Sequence, residues 1–170
     1  MTDTKTSRRE VTLPAAALLD LIATARGAGA DALRERGRSA GRMLAERLTS
    51  PNDAPSTMRA LPIDLFWKRV GEVFSSRGWG TLTHGEAGPG LGELRSSDWI
   101  EADRQDRTGG CGFTAGVLEG LLQAVAGSPL AIEETECRAT GGSTCRFVFG
   151  SPAAVRRAGR ATTSAATLGV

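Results

Sequence analysis

Cys111-Gly-Phe-Thr-Ala-Gly-Val-Leu-Glu-Gly120, Glu134-Thr-Glu-Cys137 and Gly142-Ser-Thr-Cys145-Arg-Phe147 hold all three cysteines of a 170-residue chain. Three thiols confined to 35 residues, with carboxylates beside them, have the composition of a metal-ligand set. Zinc prefers thiolate and imidazole, accepts carboxylate, and in structural sites takes four ligands in a tetrahedron. Cys111, Cys137 and Cys145 supply three of them. The single histidine, His84, is far off in sequence, so the fourth ligand is expected from Glu133, Glu134 or Glu136. A site closed by four protein ligands leaves no position for water and suits a structural ion rather than a catalytic one.

Geometry sets a condition on this reading. On a straight strand residues 134 and 137 point to opposite faces. The strand must end, bulge or twist between them. Gly141-Gly142 suits a tight return that carries Cys145 back beside Cys137. Arg138 and Arg146 are the expected partners for the net negative charge of three thiolates and a carboxylate. Two alternatives stay open on spacing alone. One is a Cys137–Cys145 disulfide across the hairpin with Cys111 buried beside it. The other is three unrelated core cysteines.

Beyond this stretch the chain carries little chemistry. Its length fits one domain with a real core. Apolar residues are 40% and charged residues 24%, the balance of a soluble globular protein. A net charge of +2 gives no reason to expect direct binding of nucleic acid or an acidic membrane. The positive charge is almost all arginine and is read as solvated helix faces. Residues 1–12 are polar, without the apolar core of a signal peptide. No apolar run reaches the ~20 residues of a membrane span. An odd number of cysteines cannot all pair within one chain, so a cytoplasmic location with reduced thiols is expected.

Residues 1–12 are expected to form a disordered tail, residues 13–150 one domain, and residues 151–170 a second disordered tail of Ala, Thr, Ser, Gly and Arg. Pro14 marks a helix start, followed by Leu18, Leu19, Leu21 and Ile22. Asp31–Leu48 has a stripe of Leu33, Gly37, Ala40, Gly41, Leu44, Ala45 and Leu48 at spacings of three and four, whose small residues would let a neighbour approach closely. Pro51 and Pro55 mark a loop. Pro62–Ser76 is a third helix, with Ile63, Phe66, Val70, Val73 and Phe74 on one face and Gly78 and Gly80 at its end. Short segments at Gly80–Thr83, Leu91–Arg95 and Ser97–Ala102 read as two or three antiparallel strands. Residues 111–126 return to helical spacing, and Leu130–Cys137 with Thr144–Phe149 forms a final hairpin. The fold class is α+β: N-terminal helices, then a small antiparallel sheet with an inserted helix and a zinc-stapled C-terminal hairpin.

These motifs resemble the C-terminal half of the 4-vinyl-reductase (4VR) domain family. The stretch is also similar to the sensor domains of bacterial activators of phenol and xylene catabolism, in the same superfamily. The resemblance is specific over 111–149 and general over 30–110. It implies a zinc site of Cys, Glu, Cys and Cys, which falls on Cys111, Glu134, Cys137 and Cys145 with separations of 23, 3 and 8. It thereby selects Glu134 over its neighbours. It also implies the fold of nitric-oxide sensors and vesicle-tethering subunits, a homodimer through the helices, and a small apolar ligand between helices and sheet.

A pocket there would be lined by large apolar groups. Phe66, Val70, Phe113, Val117 and Ile132 are the candidates. Trp67, Trp79 and Trp99 are more often core. His84, among glycines, reads as a turn residue rather than a heme ligand, and Gly88-Pro-Gly-Leu-Gly92 as a hairpin connection rather than a phosphate loop, since it lacks the lysine. The function expected is a non-enzymatic, zinc-stabilised sensor domain for an apolar or aromatic molecule. Activators of this type carry an ATPase module and a DNA-binding module after the sensor. Neither is seen up to Val170, so an output partner protein is expected to read the ligand. One alternative is an accessory protein of bacteriochlorophyll synthesis that binds a vinyl-porphyrin. Another is an interaction module with no exchangeable ligand.

Overall fold

A computed structural model describes residues 13–48, 58–103 and 109–167. The expected tail at 1–12 and the Pro51–Pro55 loop lie outside them. Among the described residues, five helices and four strands follow in order: α1 (Ala15–Arg26), α2 (Ala30–Leu48), α3 (Ile63–Ser75), β1 (Thr83–Gly88), β2 (Leu91–Ser96), α4 (Gly112–Ala126), β3 (Ala131–Glu136), β4 (Cys145–Gly150) and α5 (Pro152–Thr167). Short 3-10 turns occupy Ile100–Asp103 and Arg138–Thr140. The strands form one antiparallel sheet in the order β1-β2-β4-β3. The α+β class holds.

Alternation assigns the faces. Leu94, Phe147 and Glu134 are in register across β2, β4 and β3, as are Gly92, Phe149 and Ile132. These residues form the inner face, and Leu94, Phe147 and Ile132 are buried in the main core. Over that core lies α4, buried almost all round. Helix α2 crosses α4 with backbones in contact. A Cβ added at Gly37 would fall on the Phe113 carbonyl, and one at Gly41 on that of Val117. The reciprocal holds for Gly116 against Arg34 and Gly120 against Arg38. Each helix thus presents two glycines four residues apart, one turn of the same face. The small-residue stripe read from the sequence serves this crossing.

Four expectations need correction. Residues 152–167 are helix α5, whereas their low apolar content suggested disorder. Pro152 stands at the first helical position, and Ser151 Oγ accepts the Ala154 N–H (3.2 Å). Ala154 and Val155 are buried where α5 packs on β3 and β4, and one buried turn of an alanine-rich segment suffices. His84 lies on β1, paired with Leu94, rather than in a turn. Residues 100–103 form a 3-10 turn rather than a strand. Arg34 and Arg38 are not on a free solvated face, since both pair with the buried Glu119 of α4 (2.9 and 3.2 Å).

Candidate metal centre

Cys111 is the N-cap residue of α4, Glu134 and Cys137 stand on and just after β3, and Cys145 opens β4. The condition set by strand parity is met by a bulge. Glu134 pairs with Phe147, but Glu136 pairs with Arg146, so the register slips by one residue between them. Carried on, the new register puts Cys137 opposite Cys145, on the face that Glu134 already shares. The loop between the cysteines is closed by the Gly142 N–H donating to the Cys137 carbonyl (2.8 Å). The Glu136 carboxylate accepts the N–H groups of Ser143 and Thr144 (2.8 and 3.1 Å).

All three cysteines are free and buried. The Cys111 sulfur lies 3.5 Å from that of Cys137 and 3.8 Å from that of Cys145. The ligand atoms of Cys111, Glu134, Cys137 and Cys145 all lie within 4.8 Å of one another. A tetrahedral ion with metal–sulfur bonds of about 2.3 Å sets its sulfurs about 3.8 Å apart. The cluster therefore has the size of one ion's coordination shell. Glu134 Oε2 accepts the Cys111 N–H (2.6 Å), while Glu134 Oε1 is buried with no hydrogen-bond partner. A buried carboxylate oxygen without a donor is costly unless a cation takes its place. Gly110 makes room for this carboxylate, since a Cβ there would collide with Glu134 Oε2.

Protonation follows from crowding. Burial first, and then the neighbouring Cys137, push the Glu134 carboxyl up to about 8. Hydrogen bonds from the Cys111 and Cys137 thiols hold Cys145 down at about 4. Cys111, donating to Cys137 and Cys145, is pushed up. The Arg138 backbone N–H further favours the Cys145 thiolate. The expected side-chain counter-charges are committed elsewhere. Arg146 pairs with Glu93 on the outer face of the sheet, and Arg138 donates to Asp103 (2.8 Å). Backbone N–H groups offset the charge instead.

The proposed ligand-lining residues lie deep. Phe66, Val70, Val117 and Ile132 are buried in the core, with Phe113 packed against it. None of the five lines the groove of about 510 Å³ between α3 and the β1–β2 hairpin. Its walls include Trp67, His84, Glu86, Leu91 and Phe149. Phe66 touches Trp67, whose indole stacks on the His84 ring (4.5 Å between centroids, 14° between planes). Burial above all lowers the His84 pKa, against the opposing charges of Asp64 and Glu86. Sequence reading missed this cluster, because β1 is too rich in glycine to announce itself as a strand.

Residues 107–151 match the family model of the 4-vinyl-reductase (4VR) domain. The phenol-responsive sensory domain of the transcription activator PoxR, solved with phenol, shares the fold (TM-score 0.65, 21% identity, 85% of this chain and 77% of that one). A vinyl-4-reductase family protein from Methanocaldococcus jannaschii is also similar (TM-score 0.53, 19% identity, 84% and 83%). So is a trafficking protein particle complex subunit 3 from Naegleria fowleri, covalently bound to palmitic acid (TM-score 0.53, 12% identity, 80% and 89%). No curated protein matches the sequence.

Proposed function

We propose that this chain, which contains a 4VR domain over residues 107–151, is a zinc-stabilised, non-enzymatic sensor domain for a small apolar or aromatic molecule. The observation that carries the metal reading is the buried, partnerless Glu134 Oε1 set among three free thiols at coordination spacing. Thiolates with one carboxylate suit zinc, and four protein ligands make the ion a staple between α4 and the β3–β4 hairpin. The ligand reading is supported by the fold likeness to a phenol-responsive domain, and the palmitic acid on the trafficking subunit is a second apolar occupant. The molecule binds between helices and sheet, where Phe66, Val70, Phe113, Val117 and Ile132 supply apolar surface. A partner protein reads the resulting shift in helix packing. Exposed Leu21 on α1 and Met43 on α2 support a homodimer through the helices. No described helix is long and apolar enough to cross a membrane.

Native mass spectrometry with metal analysis tests the reading. One zinc per chain is expected, lost in Cys145→Ala, with the dimer in the same spectrum. A metal-free protein carrying a Cys137–Cys145 disulfide would overturn the metal site. Calorimetric titration of the zinc-loaded protein with phenol, and separately with palmitate, tests the ligand. Binding of either supports it, and binding of neither overturns it.

A further inference from the structure

We propose that the Ile100–Asp103 turn is a positioning element for the metal centre, and that Glu101 is the residue through which it acts. This rests on the metal reading above and adds groups that are not themselves ligands.

The argument starts from a conflict at Cys111. The first N–H groups of a helix have no intrahelical partner and are ordinarily satisfied by the side chain of the N-cap residue. In α4 that residue is Cys111, and its side chain makes no capping bond. Its sulfur is turned to Cys137 and Cys145. A side chain committed to a metal cannot also cap a helix, so the cap must come from elsewhere.

Glu101 supplies it. Its carboxylate is 1% exposed and accepts the N–H of Thr114 (2.7 Å) and of Phe113 (3.2 Å). Its negative charge also lies at the positive end of the α4 dipole. Arg26, the last residue of α1, donates to the same carboxylate (3.4 Å) and to the carbonyl of Gly110 (3.1 Å), next to Cys111. Just before the turn, Trp99 donates its indole N–H to the Thr114 hydroxyl (2.5 Å). At the other end of the turn, Asp103 accepts from Arg138, next to Cys137 (2.8 Å). One four-residue turn thus grips both peptide segments that carry the Cys111 and Cys137 sulfurs. Through Arg26 it also ties α1 to them.

The test uses the full chain loaded with zinc or with cobalt(II). Replacing outer groups that orient metal ligands typically weakens metal affinity by about 10- to 100-fold. Glu101→Ala is expected to transfer zinc to a chromophoric chelator within that range faster than the wild type, and to shift the cobalt–thiolate absorption band. Glu101→Gln, which keeps an acceptor but loses the charge, is expected to fall between the two. A Glu101→Ala protein that melts earlier yet keeps the wild-type zinc-transfer rate and cobalt spectrum would show Glu101 to be a helix cap only, and the proposal fails. If Glu101→Ala does not fold, Glu101→Gln decides on the same two readouts. A wild-type chain that binds neither ion overturns the metal reading itself, a result distinct from either of these.

Discussion

Glu133, Glu134 and Glu136 sit within four residues, and each has a different job. Glu133 is exposed on the outer face of β3, Glu136 closes the loop to Cys145, and Glu134 alone turns into the thiol cluster. The type of residue does not distinguish them; the bulge and the strand face do. Asp98 shows the same dependence on context. Burial raises its pKa, but bonds from the Thr81 N–H and hydroxyl (both 2.8 Å) and the Ser96 hydroxyl (3.1 Å) outweigh burial and hold it below the usual 3.8. A carboxylate depressed in the folded state stabilises the fold fully above its unfolded pKa and ceases to do so as pH falls through its folded value. Wild type is therefore expected to lose stability more steeply than Asp98→Asn below about pH 3.8, measured by denaturant titration across pH. Equal slopes would show that these hydrogen bonds do not discriminate between the charged and neutral acid.

The crossing of α2 on α4 depends on glycines at one face of each helix. Gly41→Ala would drive a methyl into the Val117 carbonyl, where backbone on both sides cannot yield. A loss of about 1–3 kcal/mol is expected, as for other overpacked cores. Gly71, in the middle of α3, makes the contrast. A Cβ there would meet the Leu82 carbonyl oxygen at 3.7 Å, an ordinary contact. Gly71→Ala is expected to gain roughly 0.5–1 kcal/mol by removing backbone entropy from the unfolded chain. Chemical denaturation of the two variants should shift the midpoint in opposite directions. A shift of the same sign in both would refute the close-approach account of Gly41.

The metal centre joins pieces that are distant in the chain: the start of α4, the end of β3 and the start of β4. An ion that binds only the folded form adds stability by mass action, about 2.7 kcal/mol at a hundredfold excess over its dissociation constant. For a chain of this length that corresponds to roughly 5–10 °C in melting temperature. Chelation should lower the melting temperature by that order, and added zinc should restore it. An unchanged melting temperature would mean that the four groups hold this corner together without an ion.

The local chemistry was legible in the sequence. The three thiols, the choice of glutamates, the need for a break in β3 and the periods of α2, α3 and α4 all follow from residue type and spacing, because backbone geometry fixes which neighbours share a face. The pairing of the α2 glycines with those of α4 belongs to the tertiary structure, since a small-residue stripe does not name its partner. So does the burial of Glu101, whose partners Phe113 and Thr114 lie 12 and 13 residues away and whose role follows only from the occupied Cys111 side chain. Helix α5 was hidden for the same reason: its two buried residues count only once the outer face of the sheet exists to cover them. Sequence thus determined the four candidate ligands, because metal chemistry is local in residue type. Tertiary structure decided how they are held in place, because capping, bulging and close approach all depend on groups that meet only in the folded chain.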